Sequence, residues 1–292
     1  MSNESADAFL DCIMKRPRYD TMIHMGTVFL IVGVAPVVIM WFINSSHTAG
    51  TYEMIGIVGA HMLENLLFNF IIFSIVLALY KHHLRDILWM DALTGYARSY
   101  RHDVSKLESI MLEFDDRSID KAIKLMRIYI AALIAVTILQ AVFVSVHEMD
   151  INTCIRIMIA YMLMMLVMLC ISTCYQFKKL RRYDRLQHRF ENAFYSMMKG
   201  ELKDISPNAK RIWTRYLWPH VIVMILTVGL YSLLFCFFVV HCMNVHLTTQ
   251  HRYEGRLMRA IMNKEGAVGV RSVEKDMGRG IDSMFLNYFR SY

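Results

Sequence analysis

The chain has 292 residues, 56% of them hydrophobic, with a mean hydropathy of +0.35 and a formal net charge of +7. The apolar residues fall in blocks too long for soluble core helices, and the charged fifth of the chain falls between them. That excludes an ordinary soluble domain and makes the positive charge first a statement about topology, with no nucleic acid expected as partner.

The first twenty residues are polar and lack a small-residue cleavage site before the first apolar block, so they read as an uncleaved tail, 1–20. A spanning helix needs about 20 apolar residues. Five blocks qualify, at about 22–43, 54–80, 125–146, 155–177 and 217–243. The expected fold is therefore all-α, an integral membrane protein of about five transmembrane helices. It divides into a helical membrane domain over 21–246 and a C-terminal tail over 247–292.

The joints alternate in kind. Those at 45–53 and 148–154 are short and lack Lys and Arg, whereas 81–121 carries seven and 178–215 carries eleven. Basic residues beside spans stay on the cytoplasmic side, which puts the N-terminal tail and both long joints inside. With five spans the tail after Asn244 falls outside, although it holds eight Lys and Arg. Five spans do not explain that charge.

Both long joints read as amphipathic basic helices. Leu93, Tyr96, Tyr100, Val104, Leu107, Met111 and Phe114 keep helical spacing, as do Leu180, Tyr183, Leu186, Phe190, Phe194 and Met198. Such helices either lie on an anionic inner leaflet or pack on one another. The cluster Lys178, Lys179, Arg181, Arg182, Arg185 and Arg189 is the candidate surface for the membrane or a docking partner. The succession of basic entry, span, short joint, span and basic helix occurs twice about 95 residues apart, which suggests a two-helix internal repeat. In the tail, Tyr253, Leu257, Met258 and Ile261 form a short amphipathic stretch, followed by a glycine-punctuated segment with an aromatic end.

Three constellations could carry chemistry. In the second span, His61, Glu64, Asn65 and Asn69 fall on one helical face, and polar side chains there cost enough to be kept for an ion or proton path or for interhelical hydrogen bonds. His47, His147 and His241 sit at the outer ends of odd-numbered spans and form a candidate metal or haem site, with Cys242 and His246 nearby. Met158 and Met162 give an MxxxM in a chain with 24 methionines, and gap-filling accounts for it. Five of the six cysteines (Cys154, Cys170, Cys174, Cys236 and Cys242) lie in or beside spans without disulfide or zinc-knuckle spacing, and read as reduced, buried thiols. The octapeptide at 91–98 resembles the opening of diguanylate cyclase domains, but no GG[DE]EF sequence follows, and no Walker A, HExxH or nucleophile elbow is present.

The leading expectation is a non-enzymatic, multi-pass subunit of a membrane complex such as a secretion or conjugative-transfer machine. It would sit in a bacterial inner membrane, with protein partners or further copies of itself. The alternatives are a small oligomeric transporter or channel using the second span, and a membrane-embedded metal or haem protein. The sequence specifies no cofactor.

Overall fold

The computed structural model describes residues 2–20, 23, 25–28, 30, 34, 38, 51–114, 118–146, 151–203, 205–207, 216–227 and 231–265. They are helical almost throughout, and no strand occurs among them. In chain order the helices are α1 (Ser2–Met14), α2 (Arg16–Tyr19), α3 (Met25–Val28), α4 (Thr51–Ser99), α5 (Ser105–Phe114), α6 (Ser118–Val146), α7 (Ile151–Met198), α8 (Trp218–Leu226) and α9 (Tyr231–Glu265).

Two helices dominate. α4 runs 49 residues and α7 runs 48, each roughly 70 Å at 1.5 Å per residue, more than twice a hydrocarbon core about 30 Å thick. Each carries an apolar block in its first part and continues without a break into the basic joint that follows. The first parts of the joints, 81–99 and 178–198, are thus helical because α4 and α7 extend into them. α4 ends where Ser99 folds its hydroxyl onto the Tyr96 carbonyl (2.7 Å) and Arg101 takes a left-handed φ of 62°. The Asp103 carboxylate then accepts the Ser105 N–H at 3.0 Å and starts α5.

The extensions pack on one another. Trp89, Leu93 and Tyr96 of α4, Tyr183, Phe190 and Phe194 of α7, and Tyr253 and Leu257 of α9 form one buried core, together with Phe9 and Ile13 of α1 and Leu107 and Phe114 of α5. His83, Phe114 and Tyr183 form a three-ring cluster, with His83 5.0 Å from Phe114 and 4.7 Å from Tyr183 between ring centroids and those two 5.1 Å apart. α4 and α9 run parallel in constant register: His82 meets His246, Asp86 meets Gln250 and Trp89 meets Tyr253, each pair 164 positions apart.

The other end is turned inside out. Ile155, Ile159, Leu163, Val167 and Ile171, spaced four apart on α7, are all exposed, as are Leu125, Ile128, Ile138 and Leu139 on α6. Two helices among the described residues, Lys121–Leu139 within α6 and Tyr231–Glu265, are long and apolar enough to cross a membrane.

The block 217–243 differs from expectation, because it is two helices rather than one. α8 ends at Leu226, and Thr227 both closes it and opens the next helix. Its hydroxyl donates to the Val223 carbonyl (2.8 Å) and accepts the Tyr231 N–H (3.0 Å). The chain reverses there, since the His220 ring lies 4.5 Å from Phe235 and 5.7 Å from Phe238, and its Nδ1 is 2.9 Å from the Tyr231 hydroxyl. A continuous helix would hold residues 220 and 238 roughly 27 Å apart. α9 then runs on to Glu265, so the boundary expected at 247 falls inside a helix whose buried face includes Leu247, Tyr253, Leu257, Met258 and Ile261. The hairpin returns α9 to the side it came from, alongside the extensions of α4 and α7.

Candidate metal centre

Where the apolar blocks of α4 and α9 give way to their extensions, the bundle buries charge. His82, Arg85 and Asp86 project from α4; His246, Gln250, His251 and Glu254 from α9; Arg16 from α2; and Asp20 closes that short helix. Residues four apart lie one above the other on a helix, so His82 and Asp86 form one donor pair and His246 and Gln250 face it from the parallel neighbour.

The Arg85 guanidinium is the hub on one side. Its Nη1 lies 2.7 Å from Asp20 Oδ2, and its Nη2 lies 2.5 Å from Glu254 Oε1 and 3.2 Å from Asp86 Oδ1. Arg16 pairs with the other Glu254 oxygen. Gln250 Nε2 donates to Asp86 Oδ1 at 2.5 Å and to Glu254 Oε1 at 2.9 Å. Asp20 also receives His82 Nδ1 at 2.8 Å and His251 Nε2 at 2.7 Å. Burial alone would raise the Asp20 carboxyl, but Arg85, His82 and His251 outweigh it and hold Asp20 well below the usual carboxylate range. Glu254 is likewise held low by Arg85 and Arg16 against its burial. The guanidinium of Arg85 is held charged against burial by Glu254, Asp20 and Asp86.

Both histidines are oriented by a carboxylate. His82 points Nδ1 at Asp20, and His246 points Nδ1 at Asp184 Oδ1 of α7, 3.0 Å away. An ionised carboxylate only accepts, so in each ring the proton of the neutral imidazole belongs on Nδ1, which makes Nε2 the acceptor nitrogen. The two Nε2 atoms then face each other at 3.2 Å, and His82 Nε2 lies 3.2 Å from Asp86 Oδ2. All three donor atoms lie within 4.8 Å of one another. Lone pairs this close repel unless a cation lies between them. A proton is one candidate. A metal is the other, since ligand bonds of about 2.1 Å in tetrahedral geometry put donor atoms roughly 3.4 Å apart.

Charge and unmet hydrogen bonding both point to the metal. Among the ion pairs of the described residues, Asp20, Asp86, Asp184 and Glu254 meet the guanidiniums of Arg16 and Arg85 and the imidazoles of His82, His246 and His251, so with neutral histidines two negative charges are left for a bound cation to meet. A divalent ion supplies the missing charge, and uncompensated buried charge is otherwise costly. Asp86 Oδ2 and Gln250 Oε1 are buried without a hydrogen-bond partner among the described residues. Gln187, one turn along α7 from Asp184, is buried with neither amide atom partnered among them. Burial would lower the His82 imidazole, but Asp86 and Asp20 overcome it and raise it, so a proton competes with a metal for this nitrogen. His251 goes the other way: burial pushes it down although Asp20 pulls it up.

The residues singled out in the sequence are elsewhere. Asn69 is buried on α4, and the side chains of His61, Glu64 and Asn65 lie outside the described residues. His47 and His147 also lie outside them, while His241 is exposed on α9 and belongs to no cluster of metal-binding donors among them. In the basic cluster, Lys178, Arg185 and Arg189 are exposed and the others half-buried. Arg182 donates to the Glu113 carbonyl (2.9 Å), Arg189 pairs with the Glu113 carboxylate (2.6 Å), Lys179 sits over Tyr175 and Arg181 over Phe177. The sequence reading passed over His82, Asp86 and Asp20. The available signal was an H-x-x-x-D pair directly after a span, followed 160 positions later by H-x-x-x-Q. Comparisons with protein-family models, curated proteins and solved structures find no match to this chain.

Proposed function

We propose that this chain is a non-enzymatic integral membrane subunit that holds one first-row divalent metal ion in a helical bundle at the cytoplasmic face. The observation that carries the metal reading is the convergence of two carboxylate-backed imidazole nitrogens on Asp86 Oδ2 inside a web lacking two positive charges. Two nitrogens and one oxygen suit zinc, iron(II), cobalt or manganese. Copper(I) prefers sulfur, and calcium takes six to eight oxygens. The side chains of His82, Asp86 and His246 are at most 1% exposed, which favours a structural or sensing ion over one that must meet a substrate.

The membrane reading rests on the exposed apolar stripes of α6 and α7, which would be an aggregation surface in water. Four spans, formed by residues 22–43, the first part of α4, α6 and the first part of α7, combine with the α8–α9 hairpin dipping in and returning. The N-terminal tail, both long joints and α9 beyond Met243 then share the cytoplasmic side, as the placement of Lys and Arg favours. Lys178 and Arg185 face outward where α7 leaves the membrane, suited to anionic headgroups or an acidic partner.

The test is metal content. Full-length protein, purified in detergent, stripped with chelator and dialysed against Zn(II), Mn(II) or Fe(II), should retain about one ion per chain by mass spectrometry. His82→Ala and His246→Ala should each reduce that to background. Wild-type protein that retains no ion above the metal-free buffer background, or His82→Ala and His246→Ala variants that retain as much as wild type and a Lys178→Ala control, would overturn the metal reading.

A further inference from the structure

The segment that leads from the N-terminus into the first apolar block is held by the same groups that orient the metal ligands. α1 lays Phe9 and Ile13 into the core. Beyond it, Arg16 pairs with Glu254, and Asp20 touches His82 and Arg85 on α4 and His251 on α9. Three residues later the Asn244 side chain grips the backbone of Ile23 from both sides, Oδ1 accepting its N–H at 3.3 Å and Nδ2 donating to its carbonyl at 3.0 Å. Asn244 is two positions from His246. The clamp therefore has one jaw on each ligand-bearing helix, and its grip depends on the spacing between them.

An ion bound by His82, Asp86 and His246 cross-links α4 to α9 and, through Asp184, braces α7. It also polarises the His82 ring, making its Nδ1–H a stronger donor to Asp20. We propose that metal occupancy latches residues 2–23 onto the bundle, so that this segment is the output of a metal sensor and is freed when the ion leaves. The inference rests on the metal reading above, and Asp20 is its positioning residue rather than a ligand. Linkage makes the coupling reciprocal: whatever loosens the latch weakens metal binding by the same factor.

The experiment is hydrogen exchange by mass spectrometry on the full chain in nanodiscs, in saturating Zn(II) and in chelator. Peptides covering 2–20 should exchange at least ten-fold more slowly with Zn(II), and trypsin should cut after Lys15 and Arg18 faster in chelator. Asp20→Asn should still load one Zn(II) at high concentration, with affinity reduced about 10- to 100-fold, but its N-terminal exchange should no longer respond to metal. Phe9→Ala offers no donor atom, yet should weaken Zn(II) binding several-fold through the reciprocal coupling. If one Zn(II) binds and N-terminal exchange in the wild-type chain is the same with and without it, the latch is wrong while the metal centre stands. If the wild-type chain binds none, both fall. An unchanged Zn(II) affinity in Phe9→Ala, with its N-terminus released, also overturns the latch.

Discussion

α7 passes through two environments, and its two halves are built by opposite rules. In the first, Ile155, Ile159, Leu163, Val167 and Ile171 point away from the protein; in the second, Tyr183, Leu186, Phe190 and Phe194 point into it. One regular helix serves both, so the difference lies wholly in what surrounds the side chains. Where lipid is the solvent, apolar groups need no burial and helices pack by shape. Where water is the solvent, the same residue types must be covered, and the ion pairs of Arg85 can sit beneath them. The charge web lies at the seam between the exposed apolar stripe and the buried core.

Substitutions that read the two halves differently would break or sharpen this comparison. The largest expected effect is at the web. Glu254→Ala removes the partner of both Arg85 and Arg16, and leaving buried charge unpaired costs about 3–5 kcal/mol, which should show as a lowered unfolding midpoint in detergent. A parent-like midpoint would mean that water reaches the site. Leu257→Ala, in the bundle core, should cost roughly 2–5 kcal/mol, whereas Leu163→Ala on the exposed stripe should cost under about 0.5 kcal/mol. Equal costs at the two positions would end the inside-out description.

Acid should act only on the bundle. Glu254 titrates below its ordinary 4.5 in the folded chain, so the unfolded chain binds more protons there as the pH drops. Its stabilising contribution is complete above about pH 4.5 and is lost as pH falls through the lower folded value. Asp20 adds in the same direction, beginning from its ordinary 3.8. Plotting unfolding midpoint against pH for the parent and Glu254→Gln should give the variant a flatter acid limb. A modest effect, about 1 kcal/mol, is expected for Thr227→Ala, which removes the hydroxyl that ends α8 and caps α9. A cysteine placed at Asn263 should react with impermeant reagent only from the cytoplasmic side; labelling from outside would restore the five-span arrangement.

The helical layer was legible because its period is strong: Leu93, Tyr96, Leu107 and Phe114, picked by spacing alone, are all fully buried. The hairpin was not, because hydropathy averages over residues and Thr227 interrupts an apolar block without making it polar. What ends the helix is one hydroxyl serving two backbones, which no window average registers. The metal centre was hidden for another reason. Its donors come from α4 and α9, which are far apart in sequence, and the parallel register that aligns them is a product of the hairpin. With 217–243 read as one span, the expected topology separates His246 from His82 by the width of a membrane, so nothing in it suggests that the two meet.

The unbroken length of α4 has a mechanical consequence. From Thr51 to His82 the helix extends roughly 46 Å, and no irregular turn interrupts its hydrogen bonding. A stiff arm of that length, pivoting about the charged web, moves its far end sideways by roughly 4 Å for each 5° of tilt. The same rotation about the far end would shift His82 past His246 by more than the 3.2 Å that separates their nitrogens. The bundle can keep its donor geometry only by resisting such tilting, so the aromatic core clamped around Trp89 serves as the bearing for a lever whose long arm is the apolar first part of α4.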